Sequence, residues 1–349
     1  DLDIWDGTVT TNLTPNAAGE YEINSAADLL ALSNVDVTGK TIVLKKDLSF
    51  KNVESRADDT TPATIKPLFA KEKTNGASRI TFLGNDHVIR DFIIDGDSPL
   101  NSLFGELVGS TVKNLTIINA DVTGVNEDHN WAAILAAKVV NSTFENVTIK
   151  DSKLVGVQKT GALIGYVEND GGKETKVINC TVEGLVLNNH DHAEAGSTGG
   201  LIGCINVGKA TVENSYVKNS TFNLIQKSVE AKRANSELIG VIRGGVVVSL
   251  LNCGVEGNTY TCTPDTWTAY YEKLVGGNYN ATLIVNGKTI IQTTESTNLT
   301  DLRGSGVVDF SNGFNNTGDP NSDYIQVNEG DWTFENGNVI SGSTADYGF

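Results

Sequence analysis

Residues 161–182 read GALIGYVENDGGKETKVINCTV, and this stretch decides the fold. It holds two short apolar segments, Leu163-Ile164-Gly165 and Val177-Ile178-Asn179-Cys180-Thr181-Val182, on either side of a polar turn. The pair recurs in both directions. Leu103-Phe104-Gly105, Ile134-Leu135-Ala136, Leu201-Ile202-Gly203 and Leu238-Ile239-Gly240 repeat the first segment. VKNLTI at 112–117, FENVTI at 144–149, VENSYV at 212–217 and LLNCGV at 250–255 repeat the second. The small residue returns after 31, 29, 38 and 37 positions, and the Asn of the second segment after 32, 33, 35 and 38. Two separate markers thus keep one phase over five units.

The segments alternate apolar and polar residues, as half-buried strands do. No helical pattern of 10–15 residues lies between them, which rules out β-α-β crossovers. Parallel strands without crossover helices can stack if the chain coils and each turn pairs with the next. The spacing therefore predicts a right-handed parallel β-helix of all-β class, with rungs about 4.8 Å apart. Asn114, Asn146, Asn179, Asn214 and Asn252 are expected in one corner column, where Asn tolerates left-handed backbone. Gly105, Ala136, Gly165, Gly203 and Gly240 mark a second column of close backbone approach. Cys180 and Cys253 follow the column Asn two rungs apart, with Ser215 between them. At about 10 Å they are too far apart to bridge, and both thiols are expected to point inward.

An open stack needs end caps. Residues 25–34, SAADLLALSN, predict a short capping helix with Ser25 as N-cap, Asp28 at the third position and Leu29, Leu30 and Leu32 on its apolar face. Residues 40–50 read as a lead-in strand, 51–64 as a polar loop, and 79–97 as a further coil with Gly84-Asn85-Asp86 at its corner. After Cys262 the pattern changes. Thr263-Pro264 suits a helix start running through Leu274, with Trp267, Tyr270 and Tyr271 on its apolar face. Residues 281–292, with Asn286-Gly287 at the turn, predict a hairpin. Short strands follow at 307–310, 324–328 and 332–334. The resulting division is an N-terminal segment over 1–39, a parallel β-helix over 40–262, and a C-terminal cap or small β domain over 263–349.

The formal net charge is −17, with 43 acidic against 26 basic residues. Such a surface repels phosphate backbones and anionic lipid, so nucleic-acid binding is excluded. No run of 18 apolar residues is present, so no transmembrane segment is expected. The first residue, Asp1, fits a processed or trimmed form from which an export signal has gone. Four cysteines in 349 residues are too few for a disulfide framework. The Asn-x-Thr/Ser sequons at Asn114, Asn141, Asn146, Asn179 and Asn219 arise mostly from the repeat itself.

The segments GALIGYV, GGLIGCI and SELIGVI, each followed by a strand such as VINCTVEG, resemble the GLUG repeat of bacterial surface proteins. The upstream segments INSAADLLAL, KTIVLKKDLSF and ITFLGNDHVIRDFIID resemble the lead-in to such repeats. The resemblance covers roughly 20–262. It implies an exported, often lipid-anchored, adhesin-like protein and carries no catalytic residue set. Some proteins with this repeat are surface proteases, but no His-Glu-x-x-His helix occurs here.

Candidate chemistry is local. His190-Asp191-His192, with Glu194 nearby, offers zinc-ligand types if a further ligand comes from elsewhere, and otherwise reads as a solvated loop. Asp128, His129 and Trp131 set an aromatic beside an acid and an imidazole, a sugar-contacting combination; alternatively Trp131 tucks its loop onto the stack. His87 belongs to its corner, and Asp95-Gly96-Asp97 to a turn. Acids are scattered through loops, without the paired carboxylates of a glycosidase. Lys150, Lys153 and Lys159 with Asp151 and Glu168 are the one set that could serve a lyase. Insertions around 121–131, 168–175, 184–198 and 224–236 are expected to carry specificity. These observations predict a monomeric secreted or surface-anchored binding scaffold without enzymatic activity or cofactor. Its expected partner is a host or bacterial surface glycan or protein. The second reading is a polysaccharide lyase or hydrolase on the same fold.

Overall fold

The computed structural model of the chain describes residues 1–51, 63–69, 79–96, 98–124, 131–189, 196–225, 234–243, 245–263, 271–272, 274–279, 281–285, 288–292, 296–297, 325–326, 334–335 and 338–339. Within them the protein is nearly all-β, with parallel strands and one short helix, Ala26–Ala31, continued by a 3-10 turn over Leu32–Asn34. Each repeat crosses four parallel ladders in a fixed order. One repeat supplies Thr111–Ile118, Asp121–Gly124, Trp131–Ala132 and Ala136–Val140. The next supplies Thr143–Lys150, Lys153–Gly156, Lys159–Gly161 and Ile164–Glu168. Each pairs with its counterpart, through Thr111 and Thr143, Asp121 and Lys153, Trp131 and Lys159, and Ala136 and Ile164. These are called the first to fourth ladders below.

The inward residues explain why the strands form. Val112, Leu115 and Ile117 are buried, as are Phe144, Val147 and Ile149 one repeat later. The spacing from 112 to 115 is three, not two, because Asn114 lies between them with φ +54°. One left-handed residue bends the strand, so that both flanking segments keep their apolar side chains inward. Asn146, Asn179, Asn214 and Asn252 have φ between +47° and +53°. In the preceding coil Gly84, Asn85 and Asp86 together face Asn114, since Leu83 pairs with Lys113 and His87 with Leu115. The core is continuous, with Phe50, Phe82, Phe92, Phe104, Phe144 and Phe222 fully buried along it. Burial of each such ring stabilises by about 1.5–3 kcal/mol.

Two further columns complete the corners. Asp91, Asn119, Asp151 and Asn219 hold φ between +47° and +62°, with Gly184 and Gly257 at the equivalent turns. Buried serines satisfy the neighbouring amides. Ser152 Oγ accepts from Ala120 N at 3.1 Å, Ser215 Oγ from Cys180 N at 3.1 Å, and Ser220 Oγ from Leu185 N at 3.1 Å. Each hydroxyl donates to the carbonyl two residues before it, at 2.8 Å. Cys180, Cys204 and Cys253 are buried free thiols.

The glycine column departs from the expected phase by one residue. Ala136 pairs with Ile164, so Ala137, not Ala136, faces Gly165. The apolar triplet cannot reveal this, because 132–137 is a run of Ala, Ile and Leu in which either alanine fits. Beyond Ala137 the column is Gly165, Gly203, Gly240 and Gly276, through the pairs Ile164–Ile202, Ile202–Ile239 and Ile239–Val275. A Cβ on Gly203 would lie 2.6 Å from Gly165 O and 2.6 Å from Thr160 N. The third and fourth strands thus approach too closely for a side chain.

At the N-terminal end Ser25 Oγ accepts from Asp28 N at 3.1 Å, and Leu29 and Leu32 are buried. Leu30, expected on the same face, is only partly buried. Parallel pairing extends on both sides of 40–262. Leu2–Ile4 joins Asp47–Ser49, and Tyr21–Ile23 joins Thr41–Leu44. After Cys262, Tyr271–Glu272, Val275–Tyr279 and Thr282–Val285 continue the third, fourth and first ladders. Tyr271–Glu272 is therefore strand where a helix was expected, because ladder pairing overrides local helix signals; 264–270 lie outside the described residues. Thr282–Val285 pairs antiparallel with Lys288–Gln292. Strand Ile325–Gln326 pairs antiparallel with Gly254–Val255, Phe334–Glu335 forms a two-residue strand, and 307–310 are outside the described residues. The insertions expected over 121–131, 184–198 and 224–236 are shorter than read. Strands Asp121–Gly124, Val186–Asn189, Ser197–Gly199 and Ala234–Ser236 occupy their ends.

Candidate functional site

The third and fourth strands of each repeat are joined by only two or three residues, Ala133–Leu135 in one repeat and Ala162–Leu163 in the next. The outward side chains of one ladder therefore meet those of the other. In register, Trp131, Lys159 and Ser197 follow one another on the third ladder. Lys138, Tyr166, Cys204 and Val241 do so on the fourth. Trp131, Tyr166, Cys204 and Val241 form a small hydrophobic cluster separate from the main core.

The geometry is specific. The Trp131 and Tyr166 rings are stacked, with centroids 4.3 Å apart and planes 9° from parallel. Lys138 Nζ lies 5.5 Å from the Trp131 ring centroid and 3.3 Å from Glu168 Oε2. Asn206 Nδ2 donates to Tyr166 Oη at 2.7 Å. Tyr166 is 8% exposed, whereas Trp131 keeps part of its surface open. Burial pushes the Tyr166 phenol up to about 12, helped by the negative Glu168. Burial likewise raises Cys204 to about 11, against the pull of Lys159 and Arg243. Lys159 is held below the usual lysine range by burial first, with the positive Arg243 adding to the effect and Cys204 opposing it. The junction is thus an aromatic pair over buried Cys204 and Val241, edged by the Lys138–Glu168 pair and the Asn206 amide, with Lys159 next to Trp131 on the third ladder. Such a surface holds a ligand by stacking and directed hydrogen bonds.

Of the residues singled out from the sequence, Trp131 is at this junction, packed against Tyr166, Cys204 and Val241. Asp128, His129, His190, Asp191 and His192 lie outside the described residues. Among the described residues no group of three or more His, Cys, Asp or Glu is placed to hold a metal. The set Lys150, Lys153, Lys159, Asp151 and Glu168 is dispersed. Lys150 pairs with Glu183 at 3.7 Å on the first ladder, and Lys153 is on the second. Lys159 follows Trp131 in register on the third ladder, and Glu168 pairs with Lys138. His87 Nδ1 lies 3.0 Å from Asp47 Oδ1 at its corner. Burial raises the Asp47 carboxyl, but the Val88 amide and His87 outweigh it and hold the group below the usual range.

Tyr166, Lys138, Asn206 and Arg243 escaped the sequence reading. A signal existed, because Tyr166, Cys204 and Val241 each follow a column glycine. Elsewhere a concavity of about 530 Å³ is lined by Arg79, Val108, Gly109, Asn141, Asp170 and Lys173. There Asn141 Nδ2 donates to Asp170 Oδ1 at 2.5 Å, and Asp170 N to Asn141 Oδ1 at 3.0 Å, so the polar groups close on one another.

No family model matches the chain. It is 24% identical over 282 residues to the zinc metalloprotease ZmpC of Streptococcus pneumoniae serotype 4, covering 71% of this chain and 14% of that protein. It is 25% identical over 156 residues to the immunoglobulin A1 protease of Streptococcus sanguinis, covering 45% of this chain and 8% of that one. Halomucin of Haloquadratum walsbyi matches at 30% over 176 residues, 48% of this chain and 2% of its own length. The chain therefore spans a small fraction of these relatives. A candidate immunoglobulin A1 protease from Bacteroides ovatus, solved at 1.30 Å, shares the fold with a TM-score of 0.54 and 19% identity, over 81% of this chain and 82% of that one. These comparisons correct one expectation. Two relatives and the structural neighbour carry protease names, which overturns the expectation of a scaffold without enzymatic activity.

Proposed function

We propose that this chain is a right-handed parallel β-helix of the GLUG-repeat type, working as the recognition module of an extracellular or surface-attached protein with proteolytic activity. Four parallel ladders crossed in constant order support the helical reading. The relatives' names support the proteolytic context, and an immunoglobulin substrate would be met outside the cell. The observation that carries recognition is the partly exposed aromatic pair at the junction of the third and fourth ladders. There Trp131 and Tyr166 stack at 4.3 Å beside the Lys138–Glu168 pair. Aromatic anchors ringed by polar groups are what binding sites use for most of their energy. A rigid ladder holds them without loss of side-chain freedom on binding.

The test is a binding screen of the immobilised chain against host glycoproteins, including immunoglobulin A1, matrix proteins and isolated glycans. Saturable binding that Trp131→Ala weakens is the expected result. Binding to none of them, or binding indifferent to Trp131, removes the reading. Cleavage of immunoglobulin A1 by the chain alone, assayed in parallel, would place the peptidase itself on these residues.

A further inference from the structure

We propose that the concavity at the corner between the fourth and first ladders takes a single acidic sugar, a pyranose whose carboxylate is held between Arg79 and Lys173 while its hydroxyls meet Asp170 and Asn141. This site goes beyond the recognition reading above and does not depend on Trp131.

The concavity exists because one corner is longer than its neighbours. Residues 109–110 and 141–142 join fourth-ladder to first-ladder strands in two repeats, and 208 does so later, whereas 169–173 stand between Ile164–Glu168 and Glu174–Ile178. The added residues form a tight turn, with Gly171 and Gly172 at φ +56° and +72° and Lys173 N donating to Asp170 O at 3.0 Å. The turn is fixed at its base. Asn169 is 2% exposed; its Oδ1 accepts from Asn141 N and from Thr175 Oγ1, each at 2.8 Å, and its Nδ2 donates to Lys209 O at 2.8 Å. Asp170 folds back on Asn141 through the two bonds already described. One wall is therefore set before a ligand arrives, and little order is lost on binding. The opposite wall is Arg79. Its N donates to Val108 O at 2.6 Å, which places it one rung before Gly109. Arg79 Cγ lies 3.4 Å from where a Cβ on Gly109 would stand, so the side chain runs across that glycine and lines the same space as Asp170 and Lys173. At about 530 Å³ that space is of the size that small molecules occupy.

The lining selects the ligand class. Among the described residues neither Arg79 nor Lys173 has an acid within 4.0 Å. Lys153 has none either; what sets Arg79 and Lys173 apart is that they line one concavity. A guanidinium fork grips a carboxylate through two parallel hydrogen bonds, and a lysine adds a point charge beside it. Asp170 limits how much negative charge can enter. One of its oxygens is tied to Asn141, and the other faces no partner among the described residues, so it accepts a hydroxyl and repels a second acid group. Val108 is the one apolar side chain in the lining, which leaves an aliphatic or aromatic anion little to pack against. A hydroxylated ring with one carboxylate matches all of these groups. A long polyanion does not, because the chain's net charge of −17 repels it beyond the concavity.

The experiment is calorimetric titration of the full chain with methyl glucuronide, methyl glucoside and acetate at low and high salt. The glucuronide should bind at least about fivefold more tightly than either of the others, with the margin shrinking as salt is raised, because both cations are exposed. The double variant Arg79→Gln with Lys173→Gln should remove the margin, and each single variant should remove part of it. Lys153→Gln, on the second ladder, and Trp131→Ala should leave it unchanged. Thermal unfolding of each variant verifies the fold, and the single variants decide the matter if the double one does not fold. Absence of glucuronide binding, equal binding of the glucoside, acetate held as tightly as the glucuronide, or a margin that survives loss of Arg79 and Lys173 overturns the inference. So does a margin lost with Lys153→Gln, which would make the attraction one of general charge. A margin lost with Trp131→Ala would move the sugar to the aromatic pair, so that this inference fails while the recognition reading stands. If host proteins bind without regard to Trp131 but the glucuronide behaves as expected, the recognition reading fails and this one stands.

Discussion

Asn146 donates its side-chain amide to the side-chain oxygen of Asn114 at 2.9 Å, and both residues hold left-handed backbone, at φ +53° and +54°. The bond ties one rung to the next at the bend of the first ladder. The backbone conformation does more of the work, since an L-residue other than Gly, Asn or Asp pays about 1–2 kcal/mol to adopt it. Asn146→Ala should therefore lower unfolding stability by about 1–2 kcal/mol. Asn146→Gly should lose less, because glycine accepts this φ freely. Urea titration of the two variants measures the difference. Equal loss would mean that the amide bond, not the backbone, matters.

Gly203 poses a different constraint. Its Cβ would meet Gly165 O and Thr160 N at 2.6 Å, and neither backbone atom can move independently of its ladder. Gly203→Ala should cost about 1–3 kcal/mol or more by overpacking. Gly19 has φ +81° but nothing within 4 Å of a built Cβ, so Gly19→Ala should show only the smaller conformational strain. Denaturant midpoints for the pair test the contrast, and a milder effect at Gly203 contradicts the close approach.

Ser220 is 1% exposed, accepts from Leu185 N at 3.1 Å and donates to Lys218 O at 2.8 Å. Removing its hydroxyl leaves a buried amide without a partner. Ser220→Ala should destabilise by about 1–3 kcal/mol, and Ser220→Thr by less if the hydroxyl keeps its place. Amide hydrogen exchange at Leu185 is the direct readout, with faster exchange expected in the alanine variant.

Cys180 and Cys253 flank Ser215 in one column and are free and buried, with burial pushing both thiols up to about 12. In folded protein at pH 8 they and Cys204 should resist alkylation, and peptide mapping separates them from Cys262. A mapped Cys180–Cys253 disulfide would contradict the two-rung spacing. The same shifts set the alkaline limit. Unfolded thiols ionise near 9.0, and the folded ones hold their protons to about 11 or 12. Their contribution is fully present below pH 9 and is lost as pH rises through the folded values. The Tyr166 phenol, raised from 10.0 to about 12, adds to the loss over the upper part of that window. Melting temperature should be flat with respect to these groups below pH 9 and fall above it. A profile unchanged to pH 11 would mean that these groups are not buried.

The Asn markers were legible because their cause is local: a bend with φ near +50° admits few residues, and the same bend recurs in every repeat. The serine bonds were not, since Ser152, Ser215 and Ser220 look like ordinary loop serines until the facing amide of the adjacent rung is known. The glycine column was read one residue early at Ala136, because two alanines compete and only the pairing of Ala136 with Ile164 separates them. Past Cys262 a local helix signal lost to a neighbouring strand, Asn235–Ser236, that offered unpaired backbone to Tyr271–Glu272.

By itself the sequence determined which side chains face inward and where the chain bends, since both follow from alternation and from the few residues that accept left-handed backbone. Only the tertiary structure decided that Trp131 meets Tyr166, that Lys138 reaches Glu168, and that Asn206 holds the Tyr166 hydroxyl. The first depends on how the third strand of one repeat lies against the fourth strand of the next, the others on the pairing of successive fourth strands. The recurring glycines mark the close approach, but which side chains it brings together depends on the register between adjacent repeats, which their varying lengths leave open along the chain.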